Sequence, residues 1–283
     1  MNILTFDIED WYNCDFISRD FNWDKYDVRI YEGTERILKS LEEKKIKGTF
    51  FCLGWIAEKH PKVVQWIHEA GHEIGCHSYK HELLFRFNPD EFKEDTIRAK
   101  DAIQNITGED VKLYRAPGFS IKKENQWALE VLAEIGFTHD ASIFPAIHDY
   151  GGFPDFGIAE PVYLKLRNGA ILKEFPMSVH KLGSYSLVFS GGGFFRLFPY
   201  PLINFLSNKA NYLMTYFHPR DFDAEQPILE NLPFNRKFKS YVGLKSAFSK
   251  YIKYIDDFSF ISIDKADSLI DWEQSRIIDL NTF

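Results

Sequence analysis

Residues 48–81 read GTFFCLGWIAEKHPKVVQWIHEAGHEIGCHSYKH. The opening Gly48-Thr49-Phe50-Phe51-Cys52-Leu53 is a short apolar run of the kind that forms a strand buried on both faces. Pro61 suits the first position of a helix whose apolar residues are Val63, Val64, Trp66 and Ile67, and Gly71 is its natural stop. Glu73 to Cys76 then returns to strand. Strand, helix and strand in this order form a βαβ unit, which implies parallel strands.

The same alternation extends in both directions. Upstream, residues 2–6 read as a buried strand, followed by a helix carrying Ile37, Leu38 and Leu41 on one face. Downstream, Pro89 opens a long polar helix that ends at Gly108. A strand at 111–114, a helix to Ile135 stopped by Gly136, and a strand at 137–142 continue the series. Residues 143–170, rich in Gly, Pro, Phe and Asp, break the rhythm and are expected to form an insertion of loops and hairpins. Strands are expected again at 171–179, 212–217 and 258–263, with helices starting near Pro199 and covering about 243–256. Seven or eight such units predict an α/β fold, a single distorted barrel-like domain over residues 1–283.

Composition narrows the function classes. Lys plus Arg number 34 and Asp plus Glu 41, a formal net charge of −7, which argues against a nucleic-acid binder and a polybasic membrane anchor. Three cysteines, Cys14, Cys52 and Cys76, make neither a disulfide framework nor a CxxC zinc site. No run approaches the ~20 apolar residues of a membrane span, and no secretory-leader pattern opens the sequence, so the cytoplasm is the expected compartment.

Two histidine pairs at i, i+4 overlap in residues 68–81. His68-Glu69-Ala70-Gly71-His72 spells the zinc-peptidase HExxH, which needs both histidines on one helix face. The helix stop at Gly71 leaves His72 outside, so the match reads as accidental, with His68 on a helix surface and His72 in a turn. His77 and His81 instead follow a strand, at the carboxyl edge where such folds carry their chemistry, and two imidazoles there suit a divalent ion if a third ligand is near. Asp7, Glu9 and Asp10 follow the first strand at the same edge. Strand alternation puts Glu9 on the side of Asp7, while Asp10 needs a turn to swing in, and both stay candidates for the third ligand. Arg115-Ala116-Pro117-Gly118 and His218-Pro219-Arg220 sit at later strand ends.

The order of these motifs resembles the polysaccharide deacetylases of carbohydrate esterase family 4, the nodulation-protein-like deacetylase domain. Thr5-Phe6-Asp7 is similar to the family's first motif, His77-Ser78-Tyr79-Lys80-His81 to its His-Ser-x-x-His, Arg115-Ala116-Pro117 to its Arg-x-Pro, and Tyr216-Phe217-His218 loosely to its last. Residues 7–11, Gly191-Gly192-Gly193-Phe194-Phe195-Arg196 and His218-Pro219 resemble a bacterial subgroup tied to exopolysaccharide and surface-glycan synthesis. The resemblance implies a distorted (β/α) barrel and a metal-dependent hydrolase that removes N-acetyl groups from an amino sugar in a glycan or glycan precursor, releasing acetate. A divalent metal, zinc by expectation, would be held by His77, His81 and Glu9 or Asp10. Asp7 would be the base, Arg115 its partner, His218 the acid, and the Gly118 backbone an oxyanion donor. Trp11, Tyr12, Tyr79, Phe119, Phe194 and Phe195 would offer aromatic surface to the sugar. The implied partners are an acetylated amino-sugar glycan or precursor, lipid-linked glycan at a membrane face among them, and no nucleic acid. Two departures stand out. Ile8 replaces the second Asp of the first motif, and the Asp-Trp motif is missing, which leaves Asp140 or Asp221 to orient His218. A deformylase or ring-opening amidase on the same scaffold, a zinc peptidase through His68, Glu69 and His72, and a non-catalytic glycan-binding protein are the rival readings.

Overall fold

A computed structural model of the chain describes residues 1–14, 21–148, 150–182, 185–230 and 232–283. Within these the strands are β1 (Asn2–Ile3), β2 (Thr5–Ile8), β3 (Thr49–Cys52), β4 (Glu73–Cys76), β5 (Leu113–Tyr114), β6 (His139–Asp140), β7 (Val162–Lys165), β8 (Ile171–Glu174), β9 (His180–Leu182), β10 (Tyr185–Leu187), β11 (Leu213–Met214) and β12 (Ile277–Asp279). The helices are α1 (Ile30–Lys44), α2 (Gly54–Lys59), α3 (Pro61–Glu69), α4 (Pro89–Thr107), α5 (Trp127–Glu134), α6 (Gly192–Leu197), α7 (Tyr200–Lys209), α8 (Phe234–Tyr241), α9 (Leu244–Asp257) and α10 (Ile263–Leu269).

One sheet runs in the order β12-β7-β8-β6-β5-β4-β3-β2, parallel from β2 through to β8. β11 pairs with β1, and Phe217 bridges to Phe6, so the 212–217 segment continues the ring beyond β2. The far side closes through side chains: the Ser178 hydroxyl accepts from the Met214 N–H at 3.1 Å and donates to the Met214 carbonyl at 3.2 Å. This seam makes the barrel distorted, in keeping with the expected α/β architecture.

Local sequence explains the main elements. α4 opens on a capping box, Asn88 accepting from the Glu91 N–H while Glu91 accepts from the Asn88 N–H, and ends on Gly108 in the left-handed region at φ +71°. α3 stops at Glu69, and Gly71 turns the chain at φ +68°, so His72 lies outside the helix. Gly75 is required for packing: a Cβ there would sit 2.7 Å from the Phe51 ring, which itself lies 4.0 Å beneath the Arg115 guanidinium.

Three expectations are revised. The stretch 143–170, of which residue 149 lies outside the described residues, contains β7. This strand pairs antiparallel with β8 and carries β12 on its other side, so part of the stretch widens the sheet. The strand expected at 258–263 is reduced to a single bridge from Ile261 to Ile3, because the Ile263 N–H turns to the Thr49 hydroxyl and starts α10. The strand at 171–179 ends at Glu174. Among the described residues no helix is long and apolar enough to cross a membrane.

Candidate active site

Parallel strands present their carboxyl ends at one edge, and the chemistry-bearing residues follow β2, β4, β5 and the 212–217 segment there. Glu9, His77 and His81 place one ligand atom each within 4.8 Å of one another, the one such His/Cys/Asp/Glu cluster among the described residues. His81 Nε2 lies 2.7 Å from a Glu9 carboxylate oxygen. His77 donates from Nδ1 to the Arg115 carbonyl at 2.8 Å, which fixes its tautomer and turns Nε2 into the remaining ligand atom. Burial lowers the His77 pKa to about 4, keeping the ring neutral as a metal ligand must be. Burial alone would raise the Glu9 carboxyl, but His81, with His218 and His77, outweighs it and holds Glu9 well below the usual carboxylate range. Two neutral-capable imidazoles and one ionised carboxylate are the donor set of a divalent transition-metal site with open positions, and the residues therefore fit such an ion.

The loop between the two histidines is held in an uncommon backbone shape. Ser78 and His81 both adopt positive φ, at +66° and +57°. The Ser78 hydroxyl accepts from the His81 N–H at 3.0 Å, and Asp95 on α4 accepts from the Tyr79 N–H at 2.8 Å. Asp95 had no motif to mark it in the sequence.

Of the two carboxylates considered as third ligand, the structure brings Glu9 to the histidines. Asp10 is turned onto the start of α1, accepting from the N–H groups of Arg29 at 2.7 Å and Ile30 at 2.9 Å, and also from Trp11. It is a helix cap across 20 residues, because β2 ends at Ile8 and the chain turns after Glu9.

Asp7 is almost fully buried and receives the Arg115 Nη1 at 2.8 Å. The same nitrogen donates to Thr5 at 2.7 Å, and Nε donates to the Ala141 carbonyl at 3.2 Å. Asp7 Oδ2, the oxygen away from Arg115, lies 3.8 Å from His218 Nε2, and Glu9 Oε1 lies 3.7 Å from it. Asp221 accepts from His218 Nδ1 at 2.9 Å and is ion-paired to Arg196 Nε at 3.0 Å. Burial alone would lower the His218 pKa, yet Asp221, with Glu9 and Asp7, lifts it to about 9. Asp140, the other candidate partner, binds Ser142 at 2.6 Å, and burial raises its pKa and that of Glu174, its register partner across β6 and β8. Its link to the site is indirect: Ser142 accepts from the Ala116 N–H and so holds the loop after Arg115.

A cavity opens over this cluster, bordered by Asp7, Glu9, His77, His81, His218, Gly118 and Phe119. Gly118 has φ +58°, and a Cβ there would come 3.0 Å from Leu83, so the wall is built for a glycine. The other aromatics lie elsewhere. Trp11 and Tyr12 pack with Tyr26 and Trp55 in the core, Trp11 donating to the Asp27 carbonyl. Tyr79 turns outward, donating to Glu58 beneath the Arg98 guanidinium. Phe195 is buried against Phe217, while Phe194 is exposed on α6. Of these rings, Trp11, Tyr12 and Phe195 serve core packing. The residues of the HExxH match are apart from the cluster: His72 is buried, accepting from the Gly48 N–H at 3.3 Å. Sequence reading named Arg196 only as part of a motif and missed Arg236 and Lys239; the three border the cavity from α6 and α8.

Residues 4–139 match the family model described as polysaccharide deacetylase, and residues 141–268 match a domain of unknown function, DUF3473. The chain is 37% identical over 100 residues to a peptidoglycan-N-acetylglucosamine deacetylase of Bacillus cereus, a match covering 35% of this chain and 36% of that protein. The matched stretch thus spans about a third of the length of that curated relative. Among solved structures, a candidate polysaccharide deacetylase from Mycobacterium smegmatis shares the fold with a TM-score of 0.66 at 21% identity, over 97% of this chain and 91% of that one. A family 4 carbohydrate esterase from Streptomyces lividans in complex with acetate matches with a TM-score of 0.50 at 15% identity, over 92% and 90%.

Proposed function

We propose, for a chain that belongs to the polysaccharide deacetylase family through residues 4–139, that it is a metal-dependent hydrolase removing N-acetyl groups from an amino sugar in a polysaccharide or glycan precursor. The observation that carries this is the meeting of three units at one cavity: the Glu9–His77–His81 donor set, the Asp7–Arg115 pair and the His218–Asp221 pair.

Glu9, His77 and His81 would hold the divalent ion, zinc being the expected one, whose chemistry there is Lewis acidity toward water and an amide carbonyl. Asp7 is the general base. Arg115 and Thr5 anchor one end of the carboxylate network, which leaves Asp7 Oδ2 facing the cavity to take the proton of the attacking water. Water oxygen bonds to the acetyl carbon, and the C–N bond then breaks. His218, protonated at neutral pH by its raised pKa, delivers the proton from Nε2 to the departing amine, and acetate is released. Asp221 on Nδ1 holds the ring in the orientation that points Nε2 at the cavity. Gly118, without a side chain, lets the acyl group approach this wall closely.

The test is acetate release from N-acetylated glycans, run beside elemental analysis. Wild type should carry about one divalent ion per chain, His77→Ala/His81→Ala none, and Asp7→Asn should keep the ion while releasing no acetate. A wild type that stays empty and inactive after addition of zinc, cobalt or nickel would overturn the reading in favour of glycan binding without catalysis.

A further inference from the structure

Behind Arg115 two carboxyl groups meet in the interior. Asp140 on β6 and Glu174 on β8 are register partners in the parallel sheet, which puts their side chains on one face, and both are wholly buried. Ser142 fixes the state of the first. Its Oγ accepts from the Ala116 N–H at 2.8 Å, so its own proton goes to Asp140 Oδ1 at 2.6 Å, and the Ser142 N–H donates to Oδ2 at 3.1 Å. Both Asp140 oxygens therefore serve as acceptors, which suits the ionised form. Glu174 Oε1 accepts from the Ile143 N–H at 3.0 Å, whereas Oε2 is buried and no donor of the described residues reaches it. A second carboxylate against the first would be costly, and a proton on Glu174 removes that cost by donating to Asp140.

The electrostatics agree with this division. Burial raises both carboxyls, but Glu174 and Ser142 draw Asp140 back down, while Asp140 pushes Glu174 further up. The field of Arg115 acts on both, and the phenols of Tyr114 and Tyr212 lie close by, each kept neutral by burial. The pair also grips the turn that carries Arg115. Ser142, held by Asp140, holds the Ala116 N–H, and the neighbouring Ala141 carbonyl accepts from Arg115 Nε at 3.2 Å. Arg115 in turn meets Asp7 at 2.8 Å, and its carbonyl accepts from His77 Nδ1 at 2.8 Å. One grip thus reaches both the proposed base and a proposed ion-holding residue.

We infer that Glu174 is kept as a neutral carboxylic acid donating to the Asp140 carboxylate, and that this pair positions Arg115 between Asp7 and His77. Glu174 and Asp140 are positioning residues, since neither borders the cavity. The catalytic consequence rests on the deacetylase reading; the placement of the proton does not.

Infrared difference spectra of wild type against Glu174→Gln read the proton directly. At pH 7 wild type should show a protonated-carboxyl stretch, shifted in heavy water, that the variant lacks; its absence overturns the inference. Two substitutions then test the positioning. Glu174→Gln keeps an acceptor for the Ile143 N–H and a donor for Asp140, while Glu174→Met removes both at similar volume. The Gln variant should stay within about threefold of wild type in kcat and in zinc dissociation constant, the latter read by competition with a chelator. The Met variant should lose roughly tenfold or more in kcat with KM little changed, and about threefold or more in zinc affinity, at unchanged far-UV circular dichroism. Should it fail to fold, Ser142→Ala, which cuts the link from Asp140 to the Ala116 N–H, takes its place. Equal values for the Gln variant and its counterpart in either quantity overturn the positioning role. The expected band and the expected split in zinc affinity, with no acetate released by wild type, would remove the deacetylase reading and leave the pair. Acetate release with no such band would do the reverse.

Discussion

Arg115 and Asp7 are both almost wholly removed from water, with side-chain exposures of 0% and 4%, so their pairing can be tested as a coupling energy. Arg115→Met keeps an apolar stem above Phe51 and deletes the charge, which leaves the Asp7 carboxylate buried with no cation at 2.8 Å. Breaking a buried pair from one side costs about 3–5 kcal/mol, because the surviving charge has lost its water and its partner together. For a chain of this size that is a fall of roughly 10 °C in the thermal midpoint. Asp7→Asn should cost a similar amount, since it strands the guanidinium against Thr5 and the Ala141 carbonyl. The double variant removes both charges and keeps only the packing and hydrogen-bond losses, about 1–3 kcal/mol. The two single effects together should then exceed the double by at least about 3 kcal/mol. The assay is urea unfolding followed by circular dichroism, with a chelator present so that metal binding adds nothing. Additivity within about 0.5 kcal/mol would refute the view that Arg115 and Asp7 act as one buried charge pair. Arg115→Lys should recover part of the stability and little of the activity. An ammonium can supply the charge, but it cannot reach Thr5, Asp7 and Ala141 as the guanidinium does.

Three further outcomes follow from the same geometry. Asp10→Asn should keep about one bound ion per chain by elemental analysis while lowering stability by about 1–2 kcal/mol, because it weakens charge-assisted bonds to the start of α1 and touches no ligand; loss of the ion would restore Asp10 as a ligand. His72, which burial holds neutral with a pKa of about 4 against an ordinary 6.5, contributes stability that is complete above pH 6.5 and is lost as pH falls toward 4. That contribution is about 3 kcal/mol, and His72→Asn should flatten the acid side of the stability–pH curve without changing metal content; metal loss would revive the HExxH reading. Asp221→Asn removes the carboxylate that lifts the His218 pKa, so the protonated acid disappears at lower pH. Its loss in kcat/KM should be roughly tenfold or more greater at pH 9 than at pH 6, whereas an equal loss at both would take His218 out of the acid role.

What the sequence made legible was whatever is local to a strand end. Asp7, His77, His81 and Arg115 each follow a short apolar run, and parallel strands bring those positions to one edge whatever lies between them. The choice between Glu9 and Asp10 was open because alternation governs a strand only while it lasts, and β2 ends at Ile8. In the structure Asp10 is turned to α1, which needs a cap that no residue beside it supplies, and Glu9 is left beside the histidines. Aromatic roles were illegible for a different reason: a ring on a barrel loop packs inward or outward according to neighbours contributed by other units, as Tyr79 does with Glu58 and Arg98.

The division between legible and hidden residues follows the chain itself. The proposed base and ion-holding residues, from Asp7 to Arg115, lie wholly within residues 4–139, the stretch that matches the polysaccharide deacetylase model. The proposed acid, His218, lies within residues 141–268, and the pieces around it are non-local: Arg196 reaches Asp221 across 25 positions and the α8 carbonyls across more than 40. On the proposed function, the first segment supplies the base and the ion-holding residues and the second supplies the acid. On that reading, exchanging α8 should leave metal binding intact, since none of the three candidate ligands, Glu9, His77 and His81, comes from that segment.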